Sequence, residues 1–316
     1  MADPNPDRTS GPIFIVGFPR SGTTLVRALV SSHHEAALLP YETHLLDRWL
    51  PRLGDDGLAT TARFERFWAE FTGQPGFDRT GIDPGDLRQR LEGAGSPTVR
   101  SVLDGLMQTY AVARGKGRRG EKTPDHYRHV ETLLEWFPDG RVLFTVRDPR
   151  AVLASWLTLD RPWTRVPFTE VAAGWRDSAR EALRWSTHPR VHPLKYEDLV
   201  TDTDAVLDVV FDFLELESTS DLRRDGSGAS HHGRYDPRGP VRSEGLDRWR
   251  EVLLPAELTF VESEARSEMI EFGYEPVERV AASERARARA ARVAGKTARG
   301  SRVVKRRAST VFRRRG

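Results

Sequence analysis

The stretch GFPRSGTT, residues 17–24, has the spacing in this sequence that points most directly to chemistry. Gly17 and Gly22 are separated by four residues, as in a phosphate-binding loop, and two hydroxyl residues follow. The backbone N–H groups of such a loop, at the start of a helix, bind phosphate oxygens with help from the helix dipole. Thr23 stands where nucleotide triphosphatases carry a lysine for the β- and γ-phosphates. The loop therefore predicts a ligand without a γ-phosphate.

Side chains of the same loop are candidates for contact with that ligand. Arg20 supplies one flexible positive charge, and the hydroxyl groups add hydrogen-bond donors. With the glycine that opens the helix, the predicted phosphate-binding residues are Arg20, Ser21, Gly22, Thr23 and Thr24.

A second anion site is predicted in RDPRAVLAS, residues 147–155. Arg147 follows a buried strand pattern, and Ser155 lies eight residues later on the helix that comes next. A guanidinium and a hydroxyl in this arrangement can converge on one phosphate. The alternative is an ion pair between Arg147 and Asp148. Two separate anion sites indicate a doubly phosphorylated nucleotide.

Short apolar runs and helical patterns alternate around these two segments. PIFIVG at 12–17 and RVLFTV at 141–146 predict buried strands, and RVHPLKYEDL at 190–199 predicts a weaker third strand. Asp148 is the expected N-cap and Pro149 the first residue of the following helix. The pattern predicts an α/β protein of the P-loop type, with three layers and a central parallel sheet flanked by helices.

We expect one catalytic domain with less regular segments inside and around it. Aromatic-rich and arginine-rich helical patterns predict an inserted helical cap, and a stretch rich in glycine and serine predicts a long mobile loop. The predicted divisions are a flexible N-terminus at 1–11, a domain at 12–280 with the cap at 48–120 and the loop at 218–245, and a basic tail at 281–316.

Composition restricts the compartment and the partners. The chain has no cysteine, which fits a reducing, cytoplasmic setting, and no apolar run is long enough to cross a membrane. The net charge of +3 depends on the tail, because residues 1–284 carry a net charge of −10. We therefore expect no nucleic-acid partner. The tail itself predicts a solvated extension or, alternatively, peripheral binding to an anionic membrane surface.

Several motifs together make the chain resemble the sulfotransferases that use 3′-phosphoadenosine 5′-phosphosulfate (PAPS). PRSGTT is similar to the family's 5′-phosphosulfate loop and RDPRAVLAS to its 3′-phosphate motif. Three further segments match in the expected order: EKTPDHY at 121–127, KYEDL at 195–199 and GLDRWR at 245–250. The resemblance implies PAPS as the donor and no metal, and it is greatest to the bacterial, carbohydrate and tyrosylprotein branch.

The resemblance also assigns roles to residues outside the loop. Lys122 would approach the sulfuryl group, Tyr196 would lie beside the adenosine, and Arg248 or Arg250 would close on the nucleotide phosphates. With Arg20, Lys122 would stabilise the leaving phosphate.

Three residues are candidates for the general base. Glu42, in LLPYETHLL, matches the position of the catalytic glutamate of tyrosylprotein sulfotransferases. His44 stands where that branch has an arginine, which speaks against a peptide tyrosine as acceptor. His44 and His126 are the alternative bases. The paired histidines at 33–34 and 231–232 lack further ligands at metal spacing, so we expect no metal.

The resulting hypothesis is a PAPS-dependent sulfotransferase that modifies a hydroxyl of a small molecule, a glycolipid or a carbohydrate. Two alternatives remain: a noncatalytic nucleotide-binding scaffold, and a P-loop kinase or triphosphatase.

Overall fold

The computed structural model describes residues 11–58, 60–93, 95–217 and 245–277. The predicted basic tail lies outside these ranges, as do nearly all of the predicted N-terminal segment and mobile loop. The chain divides into two compact units, Met1–Val146 with Glu181–Ser243, and Arg147–Arg180 with Glu244–Gly316. Among the described residues, the helices are too short or too polar to cross a membrane.

A parallel sheet of five strands, in the order β2-β3-β1-β4-β5, forms the centre of the first unit. All four strand pairs are parallel. The strands are β1 (Ile13–Gly17), β2 (Ala36–Leu38), β3 (Arg118–Lys122), β4 (Arg141–Val146) and β5 (Val191–Lys195). The predicted α/β fold with a central parallel sheet is confirmed.

The three strands predicted from apolar runs are present, and two shorter strands are not evident from the sequence. β1 is fully buried, as expected for a strand inside a parallel sheet. β2 has only three residues, and β3 reads RRGEK, so neither has the apolar run that marks a buried strand. β5 ends at Lys195, earlier than the predicted 190–199, because Tyr196 begins a helix.

Thirteen α-helices accompany the sheet in the described residues. They are α1 (Thr23–Ser31), α2 (Leu50–Leu53), α3 (Thr61–Thr72), α4 (Pro84–Gly93), α5 (Val99–Val112), α6 (Val130–Trp136), α7 (Pro149–Thr158), α8 (Phe168–Trp185), α9 (Tyr196–Thr201), α10 (Thr203–Phe213), α11 (Trp249–Val252), α12 (Pro255–Glu264) and α13 (Arg266–Glu271). α1 and α5 pack on the strands of the sheet.

The segment between β2 and β3 contains helices α2 to α5, and the last three residues of the stretch 48–120 predicted as a cap belong to β3. That the segment acts as a cap stays a prediction. A π-helical turn at Leu45–Trp49 precedes α2, and α3 buries four aromatic side chains. Phe67 stacks on Phe71 with ring centroids 5.2 Å apart, and Trp49 meets Phe67 edge-on. These rings form a hydrophobic core of the segment.

In the second unit, α7 begins as the sequence predicts. Asp148 is the N-cap, its carboxylate accepts a hydrogen bond of 2.8 Å from the backbone N–H of Arg150, and Pro149 follows at the first helical position. The Arg150 guanidinium also pairs with Asp148 and Glu262. Trp249 packs on α7 at Ala151 and Ala154.

Candidate active site

The glycine loop between β1 and α1 has a backbone that needs its glycines. Gly17 has φ 144°, and a Cβ there would lie 2.3 Å from the carbonyl oxygen of Thr145 on β4. Gly22 has φ 94° and forms the left-handed N-cap of α1. Arg20 also has a positive φ, 79°, which is uncommon for a residue with a side chain. The sequence motif is therefore an actual tight loop that leads into a helix.

The hydroxyl groups predicted to bind phosphate lie in this loop and in the first turn of α1. Ser21 and Thr23 are buried, and Thr24 is half-buried. Within the described residues, the buried Oγ of Ser21 has no hydrogen-bond partner. The first N–H groups of a helix also lack partners inside the helix. The loop thus has hydrogen-bonding capacity of the kind that a phosphate group uses.

Tyr196, the residue predicted to lie beside the adenosine, packs directly on the loop. It begins α9 immediately after β5. A Cβ on Gly22 would lie 2.2 Å from Cδ2 of the Tyr196 ring. The absence of a side chain at Gly22 is what allows this ring to approach the loop so closely.

Lys122 and Glu42 form an ion pair at the carboxyl edge of the sheet. Lys122 ends β3 and lies opposite Ile15 of β1, the strand that leads into the loop. Its Nζ donates a hydrogen bond to Oε1 of Glu42. The Lys122 side chain is 6% exposed and that of Glu42 is 38% exposed. The two residues predicted as sulfuryl contact and base are therefore in direct contact.

The surroundings of Glu42 strongly favour its charged form. Burial alone would raise the pKa of the Glu42 carboxyl, but the charge of Lys122 and the hydrogen bond from His44 outweigh it and hold the pKa well below its usual value. His44 Nε2 lies 3.5 Å from Glu42 Oε2. While Lys122 remains on Glu42, the carboxylate is a weak base.

His44 contacts a second carboxylate through its other ring nitrogen. Its Nδ1 lies 3.0 Å from Oδ2 of Asp47. Burial would lower the pKa of His44, but the hydrogen bonds with Asp47 and Glu42 raise it above its usual value. His44 itself has a left-handed backbone, φ 51°, where it caps the π-helical turn.

His126, the third base candidate, is completely buried between two carboxylates. Its Nδ1 lies 2.6 Å from Oε1 of Glu121, and its Nε2 lies 3.3 Å from Oδ1 of Asp47. Burial would lower the pKa of His126, but the charge of Glu121 and the hydrogen bond with Asp47 raise it to about 9. Its Nε2 also accepts a hydrogen bond of 3.2 Å from the backbone N–H of Leu46. A completely buried ring with both nitrogens engaged is unsuited to take a proton from an acceptor.

Asp47 and Glu121 are the site residues that the sequence analysis did not assign. Glu121 precedes Lys122, so it points away from it on the strand. Its Oε2 accepts hydrogen bonds from Thr43 and Thr123, at 3.1 and 2.8 Å. The available signal is the spacing of His44 and Asp47, three residues apart and hence on one face of a helical turn.

The second unit contains the remaining predicted donor contacts. Arg147 is half-buried, and its carbonyl oxygen accepts a hydrogen bond of 2.8 Å from Nε1 of Trp175. Ser155 lies half-buried on α7. Arg248 and Arg250 are exposed, and the Arg250 guanidinium lies 4.3 Å from the ring centroid of Trp249. Their contacts with a donor remain predictions.

Two groups of side chains bear on the expectation that the protein has no metal. His44, Asp47 and Asp125 offer atoms within 4.8 Å of one another, but His44 and Asp47 bond each other and Asp125 pairs with Arg128. The rings of His33 and His34 stack, with centroids 4.5 Å apart. We assign neither group to a metal, and the expectation stays a prediction.

Fold and loop together define the class of the protein. A parallel sheet whose first strand leads into a lysine-free glycine loop and then a helix is a P-loop-type α/β structure. The model of the sulfotransferase family matches residues 12–221, about two thirds of the chain. The chain belongs to the sulfotransferase family.

Curated relatives share part of this sequence. Protein-tyrosine sulfotransferase A of Caenorhabditis elegans is 26% identical over 164 residues, 49% of this chain and 35% of the relative. Protein-tyrosine sulfotransferase 2 of Gallus gallus is 29% identical over 153 residues, 46% of this chain and 33% of the relative. The match thus spans about one third of the length of these relatives.

Solved structures agree with the fold. The sulfotransferase domain from the curacin biosynthetic pathway has a TM-score of 0.54 and 23% identity, covering 84% of this chain and 98% of that domain. The sulfotransferase domain of the Synechococcus PCC 7002 olefin synthase also has a TM-score of 0.54 and 23% identity, covering 84% and 94%. At this identity the likeness concerns the fold.

Proposed function

We propose that this protein is a PAPS-dependent sulfotransferase that transfers a sulfuryl group to a hydroxyl of a small-molecule, glycolipid or carbohydrate acceptor. One observation carries the proposal: a phosphate loop without the lysine of nucleotide triphosphatases lies beside Lys122, a cation at the end of the neighbouring strand that is paired with Glu42. A site of this kind combines phosphate binding with a mobile charge and a carboxylate base.

The donor supplies an activated sulfuryl group held on a phosphate. The loop residues bind the phosphosulfate through backbone N–H groups and the hydroxyls of Ser21, Thr23 and Thr24. Arg20 and Lys122 stabilise the negative charge that develops on the departing phosphate, a contribution of about 10²- to 10³-fold in rate for one positioned donor. Under this proposal no metal is needed for that role.

Glu42 is the base in this mechanism. The bond between sulfur and the phosphate oxygen breaks, a bond between sulfur and the acceptor oxygen forms, and the acceptor's proton passes to Oε1 of Glu42. Lys122 occupies that oxygen before the donor binds. When Lys122 turns to the phosphosulfate, Glu42 loses the cation that lowers its pKa most and becomes a stronger base. Donor binding thus activates the base.

The relatives' names specify protein tyrosine as their acceptor, and we propose a different acceptor class here. His44 stands at the position at which the tyrosylprotein branch has arginine, and its neighbour Asp47 adds a negative charge beside it. A histidine paired with Asp47 presents less net positive charge than an arginine would at the same position. A neutral hydroxyl acceptor fits this surrounding better.

For the second phosphate, we propose Arg147 and Ser155 as contacts with the 3′-phosphate of the nucleotide. Their separation by eight residues, with Ser155 on α7, supports this assignment. Tyr196, Arg248 and Arg250 remain proposed nucleotide contacts of the same donor.

The decisive test is calorimetric titration with 3′-phosphoadenosine 5′-phosphate, ATP and adenosine 5′-phosphate, each without magnesium. We expect tight binding of the bisphosphate alone, followed by sulfuryl transfer from PAPS in a screen of hydroxyl acceptors. A preference for ATP with magnesium-dependent turnover would support the kinase alternative. Binding of the bisphosphate without transfer to any hydroxyl acceptor would support the noncatalytic scaffold.

A further inference from the structure

Six charged or titratable side chains form a continuous chain behind the proposed base. Positive and negative groups alternate along it, and we call it the charge array. In order, its members are Lys122, Glu42, His44, Asp47, His126 and Glu121. All of them belong to the first compact unit.

The links of the charge array are close enough for hydrogen bonds or ion pairs. Lys122 bonds Glu42 directly, and Glu42 Oε2 lies 3.5 Å from His44. The next three distances are 3.0 Å from His44 to Asp47, 3.3 Å from Asp47 to His126 and 2.6 Å from His126 to Glu121. The array therefore connects the proposed base to the interior of the protein.

Its two ends differ in their access to solvent. Glu42, near the outer end, is 38% exposed, whereas His126 and Glu121 at the inner end are 0% and 1% exposed. Glu121 uses both carboxylate oxygens as acceptors, from His126 and from two threonine hydroxyls. The carboxylate of Glu121 is fully bonded and fixes the His126 ring. His126 Nε2 accepts a hydrogen bond of 3.2 Å from the backbone N–H of Leu46 and lies 3.3 Å from Asp47 Oδ1, an ion-pair contact.

Charge balance indicates the protonation state of the two histidines. The array contains three carboxylates and one lysine, and Arg48 adds a cation 3.8 Å from Asp47, so neutrality still requires a protonated histidine. An uncompensated charge in such a buried place is costly. Neutrality of the array therefore favours protonation at the histidines over two neutral rings.

Some groups around His44 favour its protonation and others oppose it, and the carboxylates that favour it dominate. Glu42 and Asp47 each lie against one ring nitrogen, and Asp125 faces the same ring from the neighbouring 3₁₀ turn. Arg48 opposes protonation, because its Nη2 lies 3.2 Å from His44 Nε2 and can donate a hydrogen bond to that nitrogen only when the nitrogen carries no proton. The Arg48 side chain is 63% exposed, so solvent screens its charge.

We propose that His44 acts as a fixed imidazolium that positions Glu42, and that Asp47, His126 and Glu121 are positioning residues that maintain this cation. This inference rests on the proposed sulfotransferase function. When Lys122 turns to the donor, Oε1 of Glu42 is released to take the acceptor's proton. Oε2 stays paired with the imidazolium, so the Glu42 carboxylate keeps its position when Lys122 moves away.

The proposal predicts a loss of activity at alkaline pH that follows the deprotonation of His44. As pH rises through the pKa of His44, the imidazolium that holds Oε2 of Glu42 becomes neutral. The carboxylate is then less well positioned, so kcat should fall while binding of the bisphosphate is unchanged. Asp47→Asn removes a carboxylate from Nδ1 and should shift this fall to a pH about one unit lower. Asp125→Asn is the matched control, because Asp125 is already paired with Arg128, and its shift should be smaller.

His44→Arg is the variant that distinguishes a cation from a base. A permanent cation should restore activity at high pH and remove the alkaline fall, whereas His44→Gln should lower kcat at every pH. If His44 instead acts by taking up a proton, kcat will rise with pH through its pKa and His44→Arg will be inactive. Either of these results would overturn the inference.

An NMR titration of the His44 ring separates this inference from the proposed function, because it needs no turnover. We expect the His44 pKa to lie above about 6.5 in the wild type and to fall in Asp47→Asn. A normal or lowered pKa, or one that Asp47→Asn leaves in place, contradicts the inference even if PAPS is the donor. Failure to bind the bisphosphate, with the titration as expected, refutes the proposed function and leaves the charge array intact.

Discussion

The phosphate loop and the charge array lie at the same edge of the sheet but are built in different ways. The loop depends on backbone conformation, with φ 144° at Gly17 and 94° at Gly22. The array depends on ionised side chains whose charges balance one another. The loop is therefore sensitive to added volume and insensitive to pH, whereas the array is sensitive to pH and to the loss of any single charge.

Glu42→Gln should have the largest effect of the changes we consider, because it removes the base and leaves the loop intact. The amide keeps the size of the side chain but cannot accept the proton, so kcat should fall by about 10²- to 10⁴-fold. Titration with the bisphosphate should give wild-type affinity. Steady-state kinetics with PAPS and the identified acceptor provide the measurement.

Glu70→Gln is the control for that variant, since Glu70 is exposed and pairs across the surface with Arg52. It should leave kcat unchanged. Wild-type turnover by Glu42→Gln would exclude Glu42 as the base. Loss of bisphosphate binding in the same variant would mean that the loop and the array are not separable.

Gly22→Ala adds one methyl group to the loop and leaves the charge of the loop unchanged. The methyl group would meet the Tyr196 ring at 2.2 Å, in a backbone conformation that already disfavours side chains. Strain of about 1–3 kcal/mol corresponds to a loss of bisphosphate affinity of roughly 10- to 100-fold, and this loss should be the same at every pH. Calorimetry at two pH values measures both properties.

Gly54→Ala is the control that separates the steric clash with Tyr196 from the backbone strain of a side chain at positive φ. Gly54 has φ 67° with open space around its Cβ position, so its substitution brings backbone strain without a clash. It should leave bisphosphate binding unchanged. If Gly22→Ala binds as well as Gly54→Ala does, close packing of Tyr196 on the loop does not matter for the ligand.

These two regions also differ in how far the sequence predicts them. The loop is evident from the spacing of Gly17 and Gly22, because a tight turn before a helix requires particular residues at fixed positions. β3 is not evident, because RRGEK places charged side chains in a buried strand where an apolar run is expected. Two of its charges are compensated by residues distant in sequence, Arg119 by Asp104 and Lys122 by Glu42, and such pairing is a property of the folded chain.

The base shortlist shows the same limit at the level of single residues. Glu42, His44 and His126 are equivalent candidates as residue types. Only the fold reveals that His126 is enclosed by Asp47 and Glu121, whereas Glu42 is half-exposed beside Lys122. The resemblance to a family position identified Glu42, with His44 and His126 as alternatives, and burial and charge distinguish between the three.

The stability of the protein should depend on pH through the inner part of the array. The pKa of His126 is raised to about 9 in the folded protein, above its usual 6.5. Its protonation therefore stabilises the fold fully below pH 6.5, and this stabilisation is lost as pH rises through about 9. Asp47, whose pKa is lowered, contributes in the opposite sense, and its contribution is lost in acid.

Urea unfolding at a series of pH values measures this dependence. The free energy of unfolding should decline between pH 6.5 and 9, and His126→Gln should reduce the decline to the part that His44, whose pKa is also raised, contributes. His192→Gln is the control, because burial lowers the pKa of His192 and no such alkaline loss is expected from it. A stability that is constant across this interval would show that His126 is not held as a cation.

Arg118→Met tests the amino end of β3, opposite the end where Lys122 lies, and should have the smallest effect of these changes. The guanidinium of Arg118 is buried, has no hydrogen-bond partner among the described residues, and has a pKa that burial lowers to about 10. A buried cation without acceptors destabilises the fold, so an apolar side chain of similar length should raise the free energy of unfolding by about 1–3 kcal/mol.

Arg119→Met is the matched control, because the neighbouring Arg119 donates a hydrogen bond of 2.8 Å to Asp104 and is partly exposed. It should leave stability unchanged or slightly lower. Equal destabilisation by both substitutions would show that Arg118 is compensated as Lys122 is. A gain at Arg118 alone would mean that β3 tolerates an uncompensated charge at its amino end, while its carboxyl end, where the proposed chemistry occurs, compensates every charge in the array.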